Sequence, residues 1–300
     1  MNLLKSAIYG LLVIGLFISC SKNNEDNNPD SSRINFPNGG ELLVKGHTFN
    51  LRWIDAPGDE VDLELITPEG EIIEIARISN TGSYSWVVPE QLEEGQGYKI
   101  RLTANNEFSV ESAFTFSISK PFETGIFTDP RDGHIYNTVK IDDNWWFAEN
   151  CNYETETGSF YFNLDPKFEN QYGRLYTWDA ANTAAPEGWH LATDEDWQKM
   201  EITLGMDPSD APLEGNRGVN QGFLIMPDGA SQFNAQFGGY HNTMFEKFGH
   251  MGYEARFWTA TPTGVLTRIW TRMLSPHMGS INKASTTRAF GASVRLVKDK

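Results

Sequence analysis

Between Arg33 and Lys120 apolar side chains recur at every second position, a spacing that few backbones other than antiparallel strands can use. Phe49, Leu51 and Trp53 fall on one face, while Thr48, Asn50 and Arg52 fall on the other. The same period returns at Val61, Leu63 and Leu65, at Tyr84, Trp86 and Val88, at Tyr98, Ile100 and Leu102, and at Phe114, Phe116 and Ile118. Turn-forming runs separate these stretches, among them Pro37-Asn38-Gly39-Gly40, Ala56-Pro57-Gly58-Asp59 and Glu94-Gly95-Gln96-Gly97. The pattern predicts about seven short strands and an all-β, two-sheet sandwich over residues 33–120. Trp53 and Trp86 stand in the apolar registers, which assigns them to the core rather than to an exposed glycan platform.

The texture changes after Lys120-Pro121. Seven of the nine tryptophans lie beyond that point, so a second core over residues 121–300 is built from rings. A hairpin is expected from Gly125–Thr128 and His134–Ile141, followed by a turn at Asp142-Asp143-Asn144. A short helix is expected around Thr177–Thr183. Another starts at Thr193, a natural N-cap with Asp196 three residues on. Trp197, Met200, Glu201 and Leu204 share one of its faces, and Gly205 supplies the stop. His190, between Trp189 and that cap, reads as packing. Short strands are expected at Phe257–Thr259, Thr267–Met273 and Ala292–Val297.

The first 32 residues carry a different message. Residues 1–19 hold Lys5, an apolar stretch through Leu11–Ile18 and small Ser19 before Cys20. The apolar part is about a dozen residues, short of the roughly 20 a membrane-spanning helix needs, and reads as a cleaved signal. Phe17-Ile18-Ser19-Cys20 fits a lipobox except that Phe17 stands where Leu is usual. Cys20 is thus the expected lipid-attachment site, and residues 20–32, without an apolar side chain, are a tether. Several acyl chains, each worth about 0.8 kcal/mol per buried methylene, anchor stably. The expected location is the outer membrane or cell surface, with membrane lipid as a partner through Cys20.

The formal charge is −16, or −17 once Lys5 leaves with the leader, which argues against nucleic acid as a partner. Besides Cys20 there is one cysteine, Cys151, so a lipidated chain has no intrachain disulfide.

Three sets of motifs carry resemblances. Phe36-Pro37-Asn38-Gly39-Gly40-Glu41, Asn50-Leu51-Arg52-Trp53 and Gly82-Ser83-Tyr84-Ser85-Trp86 resemble a Ser-Thr-rich, cell-wall-type immunoglobulin-like domain. Acidic residues soon after Cys20 resemble the export signals of Bacteroidota-type lipoproteins. The runs Asp132–Ile141, Trp145–Asn150, Tyr172–Trp178, Gly188–Trp197, Phe233-Asn234-Ala235, Gly238-Gly239-Tyr240, Phe257–Thr261 and Ser293–Asp299 resemble, in order, the Fibrobacter succinogenes major paralogous domain. That resemblance implies an α+β, C-type-lectin-like layout, also similar to formylglycine-generating enzymes, in exported proteins without a settled activity. His241, Leu296 and Cys151 depart from the usual residues at their positions, Arg, Cys and Leu or Met. Formylglycine-generating chemistry needs a cysteine pair, and Cys151 alone does not supply it.

No catalytic residue emerges. The six histidines form no metal spacing, and there is no Gly-x-Ser-x-Gly elbow. Asp228, Glu246 and Glu254 offer carboxylates for a glycosidase pair, but such candidates arise by chance in an acidic chain. Asp207, Asp210 and Glu214, or Asp129 and Asp132, offer oxygen ligands for calcium, a better match than zinc, without following an EF-hand rule. Turn and cap roles explain them more simply. A long-loop surface between Gly215 and Thr261 is the expected binding region, with Asn216, Asp228, Asn234, Tyr240 and His241 as ligand-binding candidates beside Arg217, Asn220 and Gln236. Rings next to amides and carboxylates suit sugars. The expected function is non-enzymatic binding of an extracellular glycan or protein. The alternatives are a structural spacer or assembly component, and a hydrolase of lectin-like fold. Replacing Cys20 with Ser is expected to move the protein from the membrane to the soluble fraction, and unchanged fractionation refutes the anchor.

Overall fold

The computed structural model describes residues 33–105 and 108–300; the leader, Cys20 and the tether lie outside the described residues. Nine strands build the first domain: β1 (Arg33–Phe36), β2 (Leu42–Val44), β3 (Thr48–Ile54), β4 (Glu60–Ile66), β5 (Ile72–Ser79), β6 (Ser83–Val87), β7 (Gly95–Ala104), β8 (Phe108–Glu111) and β9 (Phe116–Ser119). They form a β1-β3-β6 sheet and a β2-β9-β7-β4-β5 sheet to which β8 is added along β7. Leu51, Trp53, Leu63, Trp86, Ile100 and Phe116 fill the space between, as the alternation requires. Trp53 Nε1 donates to Asn80 Oδ1 at 2.8 Å. The count exceeds seven because β1, β2 and β8, at three or four residues, are too short to show a period. Phe114 departs from the expected register: it precedes β9 and is 73% exposed.

β2 breaks the alternation. Leu42, Leu43 and Val44 are all buried. Leu43 points into the sandwich, while Leu42 and Val44 belong to the core of the second domain. Asn220 Nδ2 donates to the Leu42 carbonyl at 3.3 Å, and Gln221 Nε2 to the Gly40 carbonyl at 3.4 Å. The two domains therefore share one strand as a common layer.

The second domain contains β10 (Glu123–Thr128), β11 (Ile135–Ile141), β12 (Asn144–Phe147), β13 (Ser159–Phe160), α1 (Glu169–Tyr172), β14 (Leu175–Tyr176), α2 (Trp178–Ala181), β15 (Trp189–Leu191) and α3 (Asp194–Thr203). There follow β16 (Gly215–Arg217), α4 (Gln221–Ile225), β17 (Tyr240–Asn242), β18 (Lys247–Gly249), β19 (Ala255–Pro262), β20 (Arg268–Leu274), β21 (Ile281–Thr287), β22 (Phe290–Gly291) and β23 (Leu296–Lys298). One sheet runs β10-β11-β12-β23-β15 and another β16-β21-β20-β19, with smaller β18-β17-β22 and β13-β14 ladders. Trp146 meets Trp197 at 5.4 Å and Phe233 at 5.5 Å between ring centres, the middle of the predicted aromatic core.

Two expectations are corrected. The segment from Gly215 to Thr261 is not one long loop, since it holds β16, α4, β17, β18 and most of β19. Short elements of three to five residues leave no readable period. The expected Ala292–Val297 strand is also split, with Ala292 and Ser293 forming isolated bridges between β22 and β23.

Helix α3 follows the sequence closely. Thr193 Oγ1 accepts from the Asp196 amide at 3.1 Å, and Asp196 accepts from the Thr193 amide at 2.9 Å, closing a capping box. Trp197, Met200, Glu201 and Leu204 are all buried. Glu201 is the unexpected member of that face. It receives Arg217 of β16 at 2.8 Å and Arg272 of β20 at 2.6 Å, with no exposure on the Glu201 side chain. At the start of the helix Asp194 receives Arg272 at 2.7 Å and Lys283 of β21 at 2.8 Å. Burial would raise the Asp194 pKa, but the two cations outweigh it and hold the carboxyl below its ordinary value. These ion pairs bolt the helix to the sheet. Glu201→Gln leaves two guanidinium groups short of a counter-charge in the core and is expected to cost about 3–5 kcal/mol, read from chemical unfolding.

His190 does more than pack. Nδ1 lies 2.7 Å from Asp299 Oδ1 and Nε2 lies 3.2 Å from Asp196 Oδ2, so β15 latches the chain end to the helix cap. The Asp196 hydrogen bond, joined by the one from Asp299 and opposed by partial burial, raises the His190 pKa. Burial alone would raise Asp196, but His190 and Thr193 take it down to about 2. The protonated imidazole thus contributes stability that is complete below the ordinary histidine pKa, about 6.5, and disappears as pH rises through the raised value. The carboxylate's share is present above the ordinary value and is lost as pH falls through about 2. Unfolding free energy is expected to decline from near-neutral pH upward, and His190→Gln to flatten that decline.

Candidate functional site

The broken strand before β23 places a charge where the sequence is otherwise apolar. Arg295 is fully buried between Val294 and Leu296. No carboxylate within the described residues pairs with it directly. Its Nε donates to Asn150 Oδ1 at 3.1 Å, Nη1 to the carbonyls of Phe147 and Phe233 at 2.8 and 2.6 Å, and Nη2 to the Asn234 carbonyl at 2.6 Å. The Phe233 ring lies 4.4 Å from the guanidinium carbon. Burial pushes the Arg295 pKa down to about 9, with the Glu149 charge opposing that shift. One side chain therefore ties the end of β12 to the Phe233–Asn234 turn and fixes the Asn150 amide.

Above this anchor is a polar cleft of about 390 Å³, lined by Asn137, Glu149, Asn150, Asn152, Glu169 and Asn234 among others. Each wall is locked. Glu149 Oε1 accepts from the Asn137 backbone at 2.9 Å and from its side chain at 2.5 Å. Asn150 Nδ2 donates to the Tyr172 carbonyl at 2.9 Å. Asn152 donates from its backbone to Tyr136 Oη at 3.0 Å and from its side chain to Glu169 Oε1 at 2.9 Å. Gln236 donates to Asn234 Oδ1 at 2.6 Å. Gly173 completes the lining with φ +65°, and a Cβ there would stand 2.8 Å from the carbonyl oxygens of Asn150 and Cys151. Asn152 Oδ1 is buried and receives no donor. A buried acceptor without a donor costs free energy until a ligand or water supplies one. Amides and carboxylates fixed in this way make a hydrogen-bonding surface that needs no reorganisation before it binds.

Cys151, between the two asparagines, points the other way. It is buried against Tyr176 Oη at 3.5 Å, and burial pushes its thiol pKa up despite that hydrogen bond. Tyr176 Oη donates to the Tyr153 carbonyl at 2.7 Å, so this side of the segment is structural.

The structure separates the five ligand-binding candidates. Asn234 alone lines the polar cleft. Asn216 is exposed on β16 and accepts from Asn282 at 2.8 Å. Asp228 lines a different groove, between the domains. Tyr240 packs at 5.0 Å from both Phe290 and His250. His241 is corrected from a surface residue to a buried one, 1% exposed and stacked on Phe248 at 4.0 Å. Burial lowers its pKa, the Glu246 charge opposing, so the ring is held neutral. The proposed carboxylates have separate tasks too. Glu246 lies 3.5 Å from His241, Glu254 holds His250 and Arg256, and Asp228 joins neither. Of the calcium candidates, Asp129 is buried and engaged by Arg131 at 2.6 Å, Asp132 accepts from the His134 amide, and Asp207 accepts from Ser209.

Glu149, Asn150, Asn152 and Glu169 were not among the candidates. Two signals point to them. Asn150 and Asn152 flank Cys151 at a spacing of two, which sends both amides to one side. Arg295 inside Val294–Val297 is a cation in an apolar run, and such a residue must recruit acceptors.

A mostly β chain with an immunoglobulin-like first half and a buttressed cleft in its second half is a surface or cell-wall-type module. The chain belongs to the Fibrobacter succinogenes major domain family, whose model matches residues 139–298. Residues 36–122 match the Kre9/KNH-like N-terminal Ig-like domain. A comparison with curated proteins found no match. No helix of the described residues is long and apolar enough to cross a membrane.

Proposed function

We propose that this is a lipid-anchored surface lipoprotein whose second domain, C-type-lectin-like in layout, binds an extracellular glycan without turning it over. Cys20 supplies the anchor and the following polar residues the tether. The observation that carries the reading is the preorganised polar cleft with the unsatisfied Asn152 Oδ1 at its wall. Hydroxyl groups are donors and acceptors at once, so a sugar edge complements both that carbonyl and the neighbouring Glu149 and Glu169 carboxylates. The amides of Asn137, Asn150 and Asn152 are already held by a backbone or carboxylate partner, which lowers the entropy lost on binding.

A soluble Cys20→Ser form applied to a glycan array, with and without calcium, is expected to show saturable binding to a defined sugar class. Asn152→Ala removes both the free carbonyl and the grip on Glu169, and is expected to weaken that binding about tenfold or more. Uniform failure across the array favours the second reading, a rigid spacer, for which the doubly buried β2 speaks.

A further inference from the structure

Where the sandwich meets the second domain a groove of about 300 Å³ opens, away from the polar cleft. Phe49 and Arg52 of β3 stand on one wall; Asn220, Phe223 of α4 and Asp228 stand on the other. Its charged groups differ from those of the polar cleft in one respect: among the described residues they are uncommitted. Among the described residues Arg52 has no ion pair or side-chain hydrogen bond and only overlies the Phe36 ring at 5.7 Å. Asp228 has no donor and no cation within reach among the described residues. Asn220 is 3% exposed; its Nδ2 holds the Leu42 carbonyl across the domain boundary, while its Oδ1 receives no donor.

The backbone holds Asp228 at the rim deliberately. Asp228 adopts φ +62°, and the next residue, Gly229, lies so close to the Phe223 and Leu224 carbonyls that no side chain fits there. Phe223 remains 43% exposed beside it, and Phe36 stacks on Phe49 at 6.4 Å across the groove's other wall. The groove thus offers a free cation on the sandwich side, a free anion and an orphaned carbonyl on the second-domain side, and rings at both walls. Residues of both domains line it, so neither domain forms it alone.

We propose that this groove is a second binding site, for a small zwitterion with an apolar body: a free α-amino acid or a dipeptide. Its carboxylate pairs with Arg52, which presents a planar fork suited to that group. Its ammonium donates to Asp228 and to Asn220 Oδ1, and its side chain lies against Phe49 and Phe223. A volume near 300 Å³ is at the small end of ligand pockets, which favours one or two residues over a longer peptide.

Titration calorimetry of the full Cys20→Ser chain with leucine, phenylalanine and Leu-Leu tests this, alongside the N-acetyl and C-terminal amide forms of each. Saturable binding is expected for at least one zwitterion, with about tenfold or greater weakening when either charge is capped. Arg52→Gln is expected to abolish the preference for carboxylate over amide, and Asp228→Asn the preference for ammonium over N-acetyl. Both side chains are exposed, so an unchanged melting temperature is expected for each. The capped ligands decide the question on the parent protein alone if a variant misfolds. Glu169→Gln in the polar cleft is expected to leave this binding unchanged, so the result is independent of the glycan reading. Absence of saturable binding by every zwitterion, or equal binding of capped and uncapped forms, overturns the proposal.

Discussion

Glu201 and Asp194 hold the second domain together from inside. Arg272 and Lys283 are register partners across β20 and β21, two cations placed side by side in a sheet. Left alone they repel, and like charges directly opposite destabilise a ladder. Asp194 places one carboxylate oxygen on each and turns the repulsion into a clamp. Arg272 and Arg217 then share Glu201, so α3 is joined to three of the four strands beneath it. The cluster has three cations and two carboxylates. The surplus charge is absorbed by the carbonyls of Ala211 and Pro212 and by the Trp270 ring, 4.8 Å from Lys283 Nζ. Removing any one acid strands cations in a place water does not reach, which costs far more than the pair gained by forming.

Arg295 is the counterpart on the other sheet, and its solution is different. Backbone carbonyls and one amide replace the carboxylates. Carbonyl dipoles are weaker partners than anions, and the depressed pKa of Arg295 records the difference. Those carbonyls belong to two segments that flank the polar cleft. The cleft's geometry is consequently tied to the core through Arg295.

The sandwich was largely legible because its strands are long enough to display period two and its turns are marked by glycine and proline. Helix α3 was legible for a similar reason, with cap, face and stop all written within a dozen residues from Thr193 to Gly205. The long-loop expectation failed because β16, α4, β17 and β18 are three to five residues each. Nothing periodic fits in so few positions, and their conformation is set by contacts far away in sequence. For the same reason the five binding candidates do not share one site. Asn216, Asp228, Asn234, Tyr240 and His241 are near one another in the chain and dispersed in space. The cleft joins Asn234 to Asn137, Glu149 and Asn152, which lie on and just beyond the paired strands β11 and β12, and to Glu169 of α1, which Asn152 holds. His241 looked available because its neighbours are glycine and polar residues, whereas Phe160 and Phe248 close over it.

The double burial of β2 has a bearing on how the chain is made. In a polypeptide that emerges from its amino end, Leu42 and Val44 appear well before the residues of 139–297 that cover them. Until then the nascent sandwich carries a bare greasy stripe on its flank, the kind of surface that recruits chaperones or sticks to neighbours.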